Sequence, residues 1–124
     1  MILIADDNLD FAENCSLMLE CEGYEVSVVS SGLQALARIS DQQPDLLISD
    51  FCMPGMNGIQ LSQQAKTKAG RRDMPILLMS GTLDGRVGLG ISYDAFLKKP
   101  FLAQDFLLEV RKLLQQPAQP APTH

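Results

Sequence analysis

Acidic, hydroxyl and cationic side chains follow short apolar runs at four points of the chain. Asp6 and Asp7 follow the first run, Asp50 follows the third, Ser80 ends the fourth, and Lys99 follows the fifth. A single acid after a strand is often only a turn residue or a helix cap. If the runs are parallel strands of one sheet, however, their carboxyl ends meet at one edge. The joint pattern therefore predicts that these side chains converge.

Three carboxylates in one crevice favour metal-assisted phosphoryl chemistry. They repel one another, which raises their pKa values and costs stability. A hard cation relieves this repulsion, and oxygen ligands suit Mg²⁺, for which we expect Mn²⁺ to be able to substitute. An ammonium and a hydroxyl beside the metal would neutralise an incoming phosphoryl group and donate to its oxygens. A carboxylate can itself be the nucleophile, which gives an aspartyl phosphate.

The elements that must position these groups alternate regularly. Five apolar runs are separated by segments with helical spacing; the runs are Met1–Ala5, Glu25–Val29, Leu46–Ser49, Ile76–Ser80 and Ala95–Leu97. Three of the runs lack polar alternation, which is typical of central parallel strands covered on both faces. The alternation predicts an α/β fold, in which a doubly wound parallel sheet carries helices on both faces.

Apolar residues between the runs recur at helical spacing. The residues that mark the four helices, in chain order, are Phe11, Cys15, Met18 and Leu19; Leu33, Leu36 and Ala37; Leu61 and Ala65; and Phe106, Val110, Leu113 and Leu114. We expect the first helix to stop at Gly23. The segment Asp84–Tyr93 contains three glycines, each costing about 1 kcal/mol in a helix interior, so a helix there should be short or absent.

Length and composition predict one globular domain over residues 1–114 and a Pro/Gln/Ala-rich tail or linker over residues 115–124. The net charge of −5 and the lack of a basic patch predict no direct contact with nucleic acid. No apolar run approaches the roughly 20 residues of a membrane span, and "MILIA" is too short for a signal peptide. We therefore expect a cytoplasmic protein without membrane contact. The three cysteines lack metal-site spacing and are interpreted as reduced thiols.

Four motifs together resemble those of response regulator receiver domains, the phosphoacceptor modules of two-component signal transduction. "ILIADDN" resembles the acidic-pair motif of the family, "DLLISDFCMPGMNG" its phosphoacceptor segment, "ILLMSG" its hydroxyl motif and "AFLKKPF" its Lys-Pro motif. They occur in order at suitable spacing between Ile2 and Leu114. The resemblance implies a flavodoxin-like, five-stranded parallel sheet with strand order 2-1-3-4-5.

The resemblance also implies roles for the acidic residues. Asp50 would accept a phosphoryl group from the phosphohistidine of a histidine kinase or a histidine phosphotransfer protein. Asp7, Asp50 and the backbone carbonyl of Cys52 would bind Mg²⁺, and Asp6 would hold a coordinating water. The expected activity is at most self-phosphotransfer and slow autodephosphorylation, rather than that of a conventional enzyme.

The remaining motif residues receive supporting roles from the same resemblance. Ser80 and Lys99 would bind phosphoryl oxygens, and the bond between Lys99 and Pro100 would be cis. Phe96 would be the aromatic residue that changes rotamer as Ser80 moves. Because Phe96 stands where the family often has tyrosine, a switch that uses a tyrosine hydroxyl is excluded. The segment Pro54–Gly55 would shape the loop after the third strand.

Two further expectations concern signal lifetime and assembly. Cys52 and Thr82 lie two positions after Asp50 and Ser80, where receiver domains tune hydrolysis of the acyl phosphate. Neither is a strong acid or base that could guide water, so we expect the phosphorylated state to last minutes or more. The glycine-rich segment Asp84–Tyr93 lies where the family forms part of its output face. We therefore expect dimerisation through that face to be weak or altered.

Other functions remain open alternatives. An aspartate-nucleophile phosphatase of the haloacid dehalogenase type would need a second Asp where this chain has Cys52. A flavodoxin-like cofactor binder would need a phosphate loop in place of the acidic "DDNLD". A receiver-like interaction scaffold would not depend on phosphorylation. The downstream effector is unknown, and both a stand-alone regulator and a receiver from a longer protein fit the sequence.

Overall fold

The computed structural model describes residues 1–67, 73–81 and 93–115. Within these residues it contains five strands and four helices. The strands are β1 (Ile2–Ala5), β2 (Val26–Val29), β3 (Leu46–Asp50), β4 (Ile76–Ser80) and β5 (Ala95–Lys98). The helices are α1 (Leu9–Cys21), α2 (Gly32–Gln42), α3 (Gly58–Thr67) and α4 (Ala103–Gln115). None of the helices described is long and apolar enough to cross a membrane.

The strands form one parallel sheet in the order β2-β1-β3-β4-β5. This confirms the predicted fold class and strand order. In the register of the sheet, Asp50 pairs with Met79 and Ser80 pairs with Lys98. Because all strands run in the same direction, the polar residues that end them lie at the same edge of the sheet.

The sheet is covered on both faces by hydrophobic clusters. Leu3 and Ala5 of β1 belong to a cluster that includes residues of α2 and α3. Ile2 and Ile4 belong to the opposite cluster, which includes residues of α1 and α4. All four residues of β1 are buried, as are all five residues of β3 and of β4. Burial on both faces explains why these three runs show no polar alternation.

Of the residues that mark α2 in the sequence, Leu36 packs against the cluster beside α2 and α3, whereas Leu33 and Ala37 are exposed. Leu33 is 73% exposed, whereas Gly32, Ala35 and Ile39 are buried. A Cβ added at Gly32 would lie 2.9 Å from the Met56 Cβ, so α2 approaches the segment before α3 too closely for a larger side chain there. The small residues set the rotation of α2, and Leu33 turns to solvent.

Two expectations from the sequence fall mostly outside the described residues. Of the segment Asp84–Tyr93, only Tyr93 is described, and it packs against the cluster beside α2 and α3. The shortened helix and the weakened dimerisation expected from this segment therefore remain predictions. Of the tail expected over residues 115–124, only Gln115 is described, as the last residue of α4, so the tail remains a prediction.

The loop between β3 and α3 holds its shape through two glycines. Gly55 has a φ of +84°, which favours glycine, and the Met56 amide donates to the Pro54 carbonyl at 3.0 Å. A Cβ added at Gly58 would lie only 2.7 Å from the Asp50 carbonyl oxygen and 3.0 Å from the Phe51 Cα. Gly58 therefore lets α3 begin directly against the end of β3.

Replacing Gly58 by alanine should destabilise the fold. In Gly58→Ala the new methyl group meets backbone atoms that cannot rotate away, and we expect a loss of about 1 to 3 kcal/mol in the free energy of unfolding. Urea denaturation measures this loss. Gly81→Ala is the matched control, since a Cβ there would make an ordinary 3.6 Å contact with the Lys99 Cβ and should change stability by less than about 0.5 kcal/mol. Equal stability of the two variants would contradict the packing argument.

Candidate functional site

Three carboxylates meet at the carboxyl edge of the sheet. Asp6 and Asp7 follow β1 directly, and Asp50 is the last residue of β3, the strand that pairs with β1. One carboxylate oxygen from each of the three lies within 4.8 Å of the others. Asp6 is fully buried, Asp50 is nearly buried and Asp7 is exposed. The convergence expected from the sequence is thus present in the structure.

Lys99, the residue directly after β5, brings a positive charge to these acids. Its Nζ lies 3.0 Å from Asp50 Oδ1 and 3.4 Å from Asp6 Oδ2. Burial alone would lower the pKa of Lys99, but the hydrogen bond to Asp50 and the negative charge of Asp6 raise it overall. The side chain is therefore an ammonium that is held between two carboxylates.

Burial makes the ionised form of Asp6 unfavourable. Burial raises the pKa of this carboxyl group, and the neighbouring charge of Asp50 adds to the increase. The Asn8 amide donates to Asp6 Oδ1 at 2.9 Å, and this hydrogen bond and Lys99 lower the pKa in part. The net effect is a raised pKa, so the ionised form of Asp6 is costly in this fold.

The backbone holds Asp50 rigidly. The Ser49 hydroxyl donates to the Asp50 carbonyl at 2.9 Å, and the Phe51 amide donates to the Met79 carbonyl of β4 at 2.8 Å. The Phe51 carbonyl in turn accepts from the Gly58 amide at 2.8 Å. Asp50 therefore stands between a paired strand and the start of α3.

Ser80 and Lys99 are joined through the main chain. Ser80 is buried at the end of β4, and its carbonyl accepts from the Lys99 amide at 2.8 Å. The Lys99–Pro100 peptide bond is cis. Phe96 is half-buried in β5 opposite Leu78 and packs against the cluster beside α2 and α3.

Cys52 is exposed in the loop after β3, next to the buried Met53. Its backbone carbonyl as a metal ligand remains a prediction, as does the influence of its side chain on hydrolysis. Cys15 and Cys21 are also free thiols. Burial, with the charge of Asp6, raises the pKa of Cys15 to about 11. A buried thiol with that pKa stays protonated at neutral pH, whereas Cys21 and Cys52 are accessible.

Phe11 is a site residue that the sequence reading placed only on the core face of α1. The Lys99 Nζ lies 4.1 Å from the centre of its ring. Asn8 was also missed: its side chain accepts from the Phe11 amide at 3.2 Å and caps α1. An Asn directly before a helix was a usable signal for the cap. The ring contact depends on where β5 ends, and no local pattern in the sequence reveals it.

The donor set fits a hard divalent cation. The carboxylates of Asp6, Asp7 and Asp50 supply oxygen ligands, which Mg²⁺ prefers. Asp7 is the member of the cluster that is exposed to solvent. Binding of a cation would also offset the burial and the negative charge of Asp50 that raise the pKa of Asp6. The chemistry of the residues is therefore consistent with the magnesium site expected from the sequence.

Comparison with known proteins identifies the family. Residues 2–111 match the model of the response regulator receiver domain. The chain belongs to this family. A receiver domain of a signal transduction histidine kinase from Syntrophus aciditrophicus is 32% identical, with a TM-score of 0.83 over 92% of this chain and 89% of that one. The response regulator TrrA from Thermotoga maritima, solved in complex with Mg²⁺-BeF, is 30% identical, with a TM-score of 0.84 over 91% of this chain and 97% of that one.

Curated relatives of this receiver domain are longer. The DNA-binding response regulator MtrA from Mycolicibacterium paratuberculosis is 32% identical over 118 residues, which are 93% of this chain and 51% of MtrA. The chain thus spans about half the length of the curated relatives it matches. Since MtrA is named a DNA-binding protein, the expectation that this chain avoids nucleic acid gains no support from its relatives.

Neutralising Asp6 should relieve a cost in stability. Its pKa is raised in the fold, so the ionised group destabilises the native state as the pH rises from about 4 through the folded-state pKa. Without Mg²⁺ at about pH 7, Asp6→Asn should be at least as stable to urea as the native chain. The advantage should shrink as the pH falls towards about 4 and should vanish below it, where the native carboxyl group is protonated in both states.

Added Mg²⁺ should reverse this ranking. The native receiver domain should gain stability with the metal, and Asp6→Asn should gain less because the site has lost a charge. Asp41→Asn is a matched control, since Asp41 is exposed on α2, and it should respond to Mg²⁺ like the native chain. A variant that is less stable than the native chain without Mg²⁺, or equally responsive to the metal, would contradict the assignment.

Proposed function

We propose that this receiver domain is the phosphoacceptor of a two-component phosphorelay and that Asp50 is the residue that is phosphorylated. The observation that carries the proposal is the placement of Lys99 Nζ 3.0 Å from Asp50 Oδ1, inside a cluster of three carboxylates. A nucleophilic carboxylate beside a fixed ammonium is suited to receive a dianionic group. Asp50 is the last residue of β3, and Lys99 directly follows β5, where its amide donates to the Ser80 carbonyl of β4.

The proposed transfer forms one bond and breaks another. A carboxylate oxygen of Asp50 attacks the phosphorus atom of a phosphohistidine, and an O–P bond forms. The P–N bond breaks, and its electron pair returns to the imidazole ring of the donor. In the second half of the cycle, water attacks the phosphorus atom of the acyl phosphate, and the bond to Asp50 breaks. The Asp50 carboxylate is regenerated, and the phosphate leaves with the protons of the water. The reaction amounts to self-phosphotransfer and autodephosphorylation.

Lys99 and Ser80 act on the transferring group. The Lys99 ammonium neutralises charge on the phosphoryl oxygens, and the Ser80 hydroxyl donates to one of them. Their backbones are hydrogen-bonded to each other at 2.8 Å, so a movement of Ser80 is passed to β5. Phe96, which is half-buried in β5, is the residue through which we expect such a movement to reach the surface.

Asp7, Asp50 and the Cys52 carbonyl would hold Mg²⁺, with Asp6 binding it through water. Bound Mg²⁺ would neutralise charge on the phosphoryl group as it is transferred, and Mn²⁺ should substitute for it. The described carboxylates supply the charge that such a cation needs. The Mg²⁺-BeF complex of TrrA, a relative of 30% identity, also supports this part of the proposal.

The proposed partners are a histidine kinase or a histidine phosphotransfer protein, and the proposed location is the cytoplasm. The effector that reads the signal stays unassigned. The expectation that this domain itself makes no direct contact with nucleic acid rests on its net charge of −5 and on the lack of a basic patch in the sequence. DNA binding, as in the name of MtrA, would concern a protein about twice as long.

Phosphoryl labelling tests the acceptor. The native chain should take up label from acetyl phosphate only with Mg²⁺, and Asp50→Asn should take up none, because an amide is not a nucleophile of this kind. Asp41→Asn, with an exposed aspartate on α2, should be labelled like the native chain. Label on Asp50→Asn would place the acceptor elsewhere, and labelling in EDTA would contradict the metal site. A native chain that takes up no label would favour the scaffold alternative.

The phosphorylated form should decay slowly. Cys52 is exposed near Asp50 and is neither a strong acid nor a strong base that could guide water, so we expect a half-life on the order of minutes or more. Loss of label after removal of the donor measures it. Cys52→Ala should change the half-life by less than about threefold, since no catalytic group is lost. A native half-life of a few seconds would contradict the prediction.

A further inference from the structure

The ring of Phe11 is the third neighbour of the Lys99 ammonium. Two carboxylates contact Lys99 Nζ, from Asp50 at 3.0 Å and from Asp6 at 3.4 Å, and the centre of the Phe11 ring lies 4.1 Å away. An ammonium within about 6 Å of an aromatic ring centre is attracted by the negative potential of the ring face. The contact therefore favours the charged form of Lys99 and holds its Nζ over the Phe11 ring.

The ring is held by neighbouring aromatic residues. Phe101 meets Phe11 edge-on, with centroids 5.8 Å apart and planes at 70°. Phe101 also stacks on the fully buried Phe106 of α4, at 5.4 Å and 14°. Because Phe101 lies two residues after Lys99, the segment that carries the ammonium also supports the ring that it contacts.

The same ring is tied to the acidic side of the site. The Phe11 amide donates to the Asn8 side chain at 3.2 Å, and the Asn8 amide donates to Asp6 Oδ1 at 2.9 Å. The first turn of α1 therefore positions a carboxylate and an aromatic ring against one ammonium. Phe11 therefore connects the segment after β1, which carries Asp6, with Lys99 at the end of β5.

We propose that Phe11 is a positioning residue for phosphoryl transfer, which keeps the Lys99 ammonium at the site through a cation–π contact. The inference rests on the proposed function, since it gives Lys99 its role. Contacts with Asp50 and Asp6 change when these carboxylates bind a cation or when Asp50 becomes an acyl phosphate. The ring face is unaffected by either event. It retains the flexible lysine side chain when its carboxylate partners are occupied.

Fluorinated phenylalanines at position 11 separate electrostatics from packing. Each added fluorine makes the ring face less negative with little change of shape, so the attraction for the ammonium falls stepwise. We expect the rate of Asp50 labelling by acetyl phosphate to fall with each step, by about three- to fivefold for the fully fluorinated ring. Phe11→Tyr keeps the ring face and should keep the native rate within about twofold.

The matched control is the same fluorinated series at Phe106. This ring is fully buried and stacks on Phe101, and the described cation–π contact involves Phe11 instead. Fluorination at Phe106 should leave the labelling rate within about twofold, because its ring face meets Phe101 rather than the Lys99 ammonium. A rate that does not change along the Phe11 series, or changes equally in both series, would overturn the proposal.

A second measurement does not depend on phosphorylation. Protons that lie over an aromatic face are shifted in the NMR spectrum, so the ε-methylene resonances of Lys99 should move towards the values of a free lysine in Phe11→Leu. Unmoved resonances would show that the contact is absent in solution and would overturn the proposal. If the native chain takes no label but these resonances do move, the proposed function has failed while the contact exists. If the native chain is labelled but the labelling rate does not change along the fluorinated Phe11 series, only the positioning role of Phe11 has failed.

Discussion

An excess of negative charge at the carboxyl edge of the sheet is the constraint on which this structure depends. Three carboxylates lie within 4.8 Å of one another, and Lys99 contacts two of them. Asp6 is fully buried, and its burial raises its pKa. A buried charge without full compensation destabilises a fold, so the rest of the domain must hold these groups together against their repulsion.

The parallel sheet supplies the rigidity that this requires. β1, β3 and β4 are buried along their whole length, and each has neighbours on both sides in the sheet. Their ends cannot move apart without breaking hydrogen bonds and exposing apolar surface on both faces. The β3–α3 loop adds a second restraint, because Gly58 packs directly on the Asp50 carbonyl. The acids are therefore held close by the core rather than by attraction among themselves.

The sequence allowed the fold and the acidic cluster to be predicted, because both follow from patterns along the chain. Buried strands appear as continuous apolar runs, and the ends of parallel strands must share one edge. The rotation of α2 was only partly predictable from its leucines, since Leu36 packs against the core but Leu33 remains exposed, with the close approach at Gly32. The contact of Phe11 with Lys99 was missed for a similar reason: it depends on distances between α1 and β5 that no local spacing encodes.

The contacts of Lys99 reconcile charge compensation with function. An ammonium bound only by Asp50 and Asp6 would be fixed most firmly when both acids are free and least firmly once their charge is used elsewhere. The Phe11 ring also contacts the ammonium, and the negative potential of its face does not depend on the state of the carboxylates. Phe101, two residues after Lys99, packs edge-on against this ring. The Lys99 ammonium that compensates the three carboxylates can thus stay in place to bind an incoming phosphoryl group. On this view the Phe11 ring of α1 belongs to the site as much as to the core.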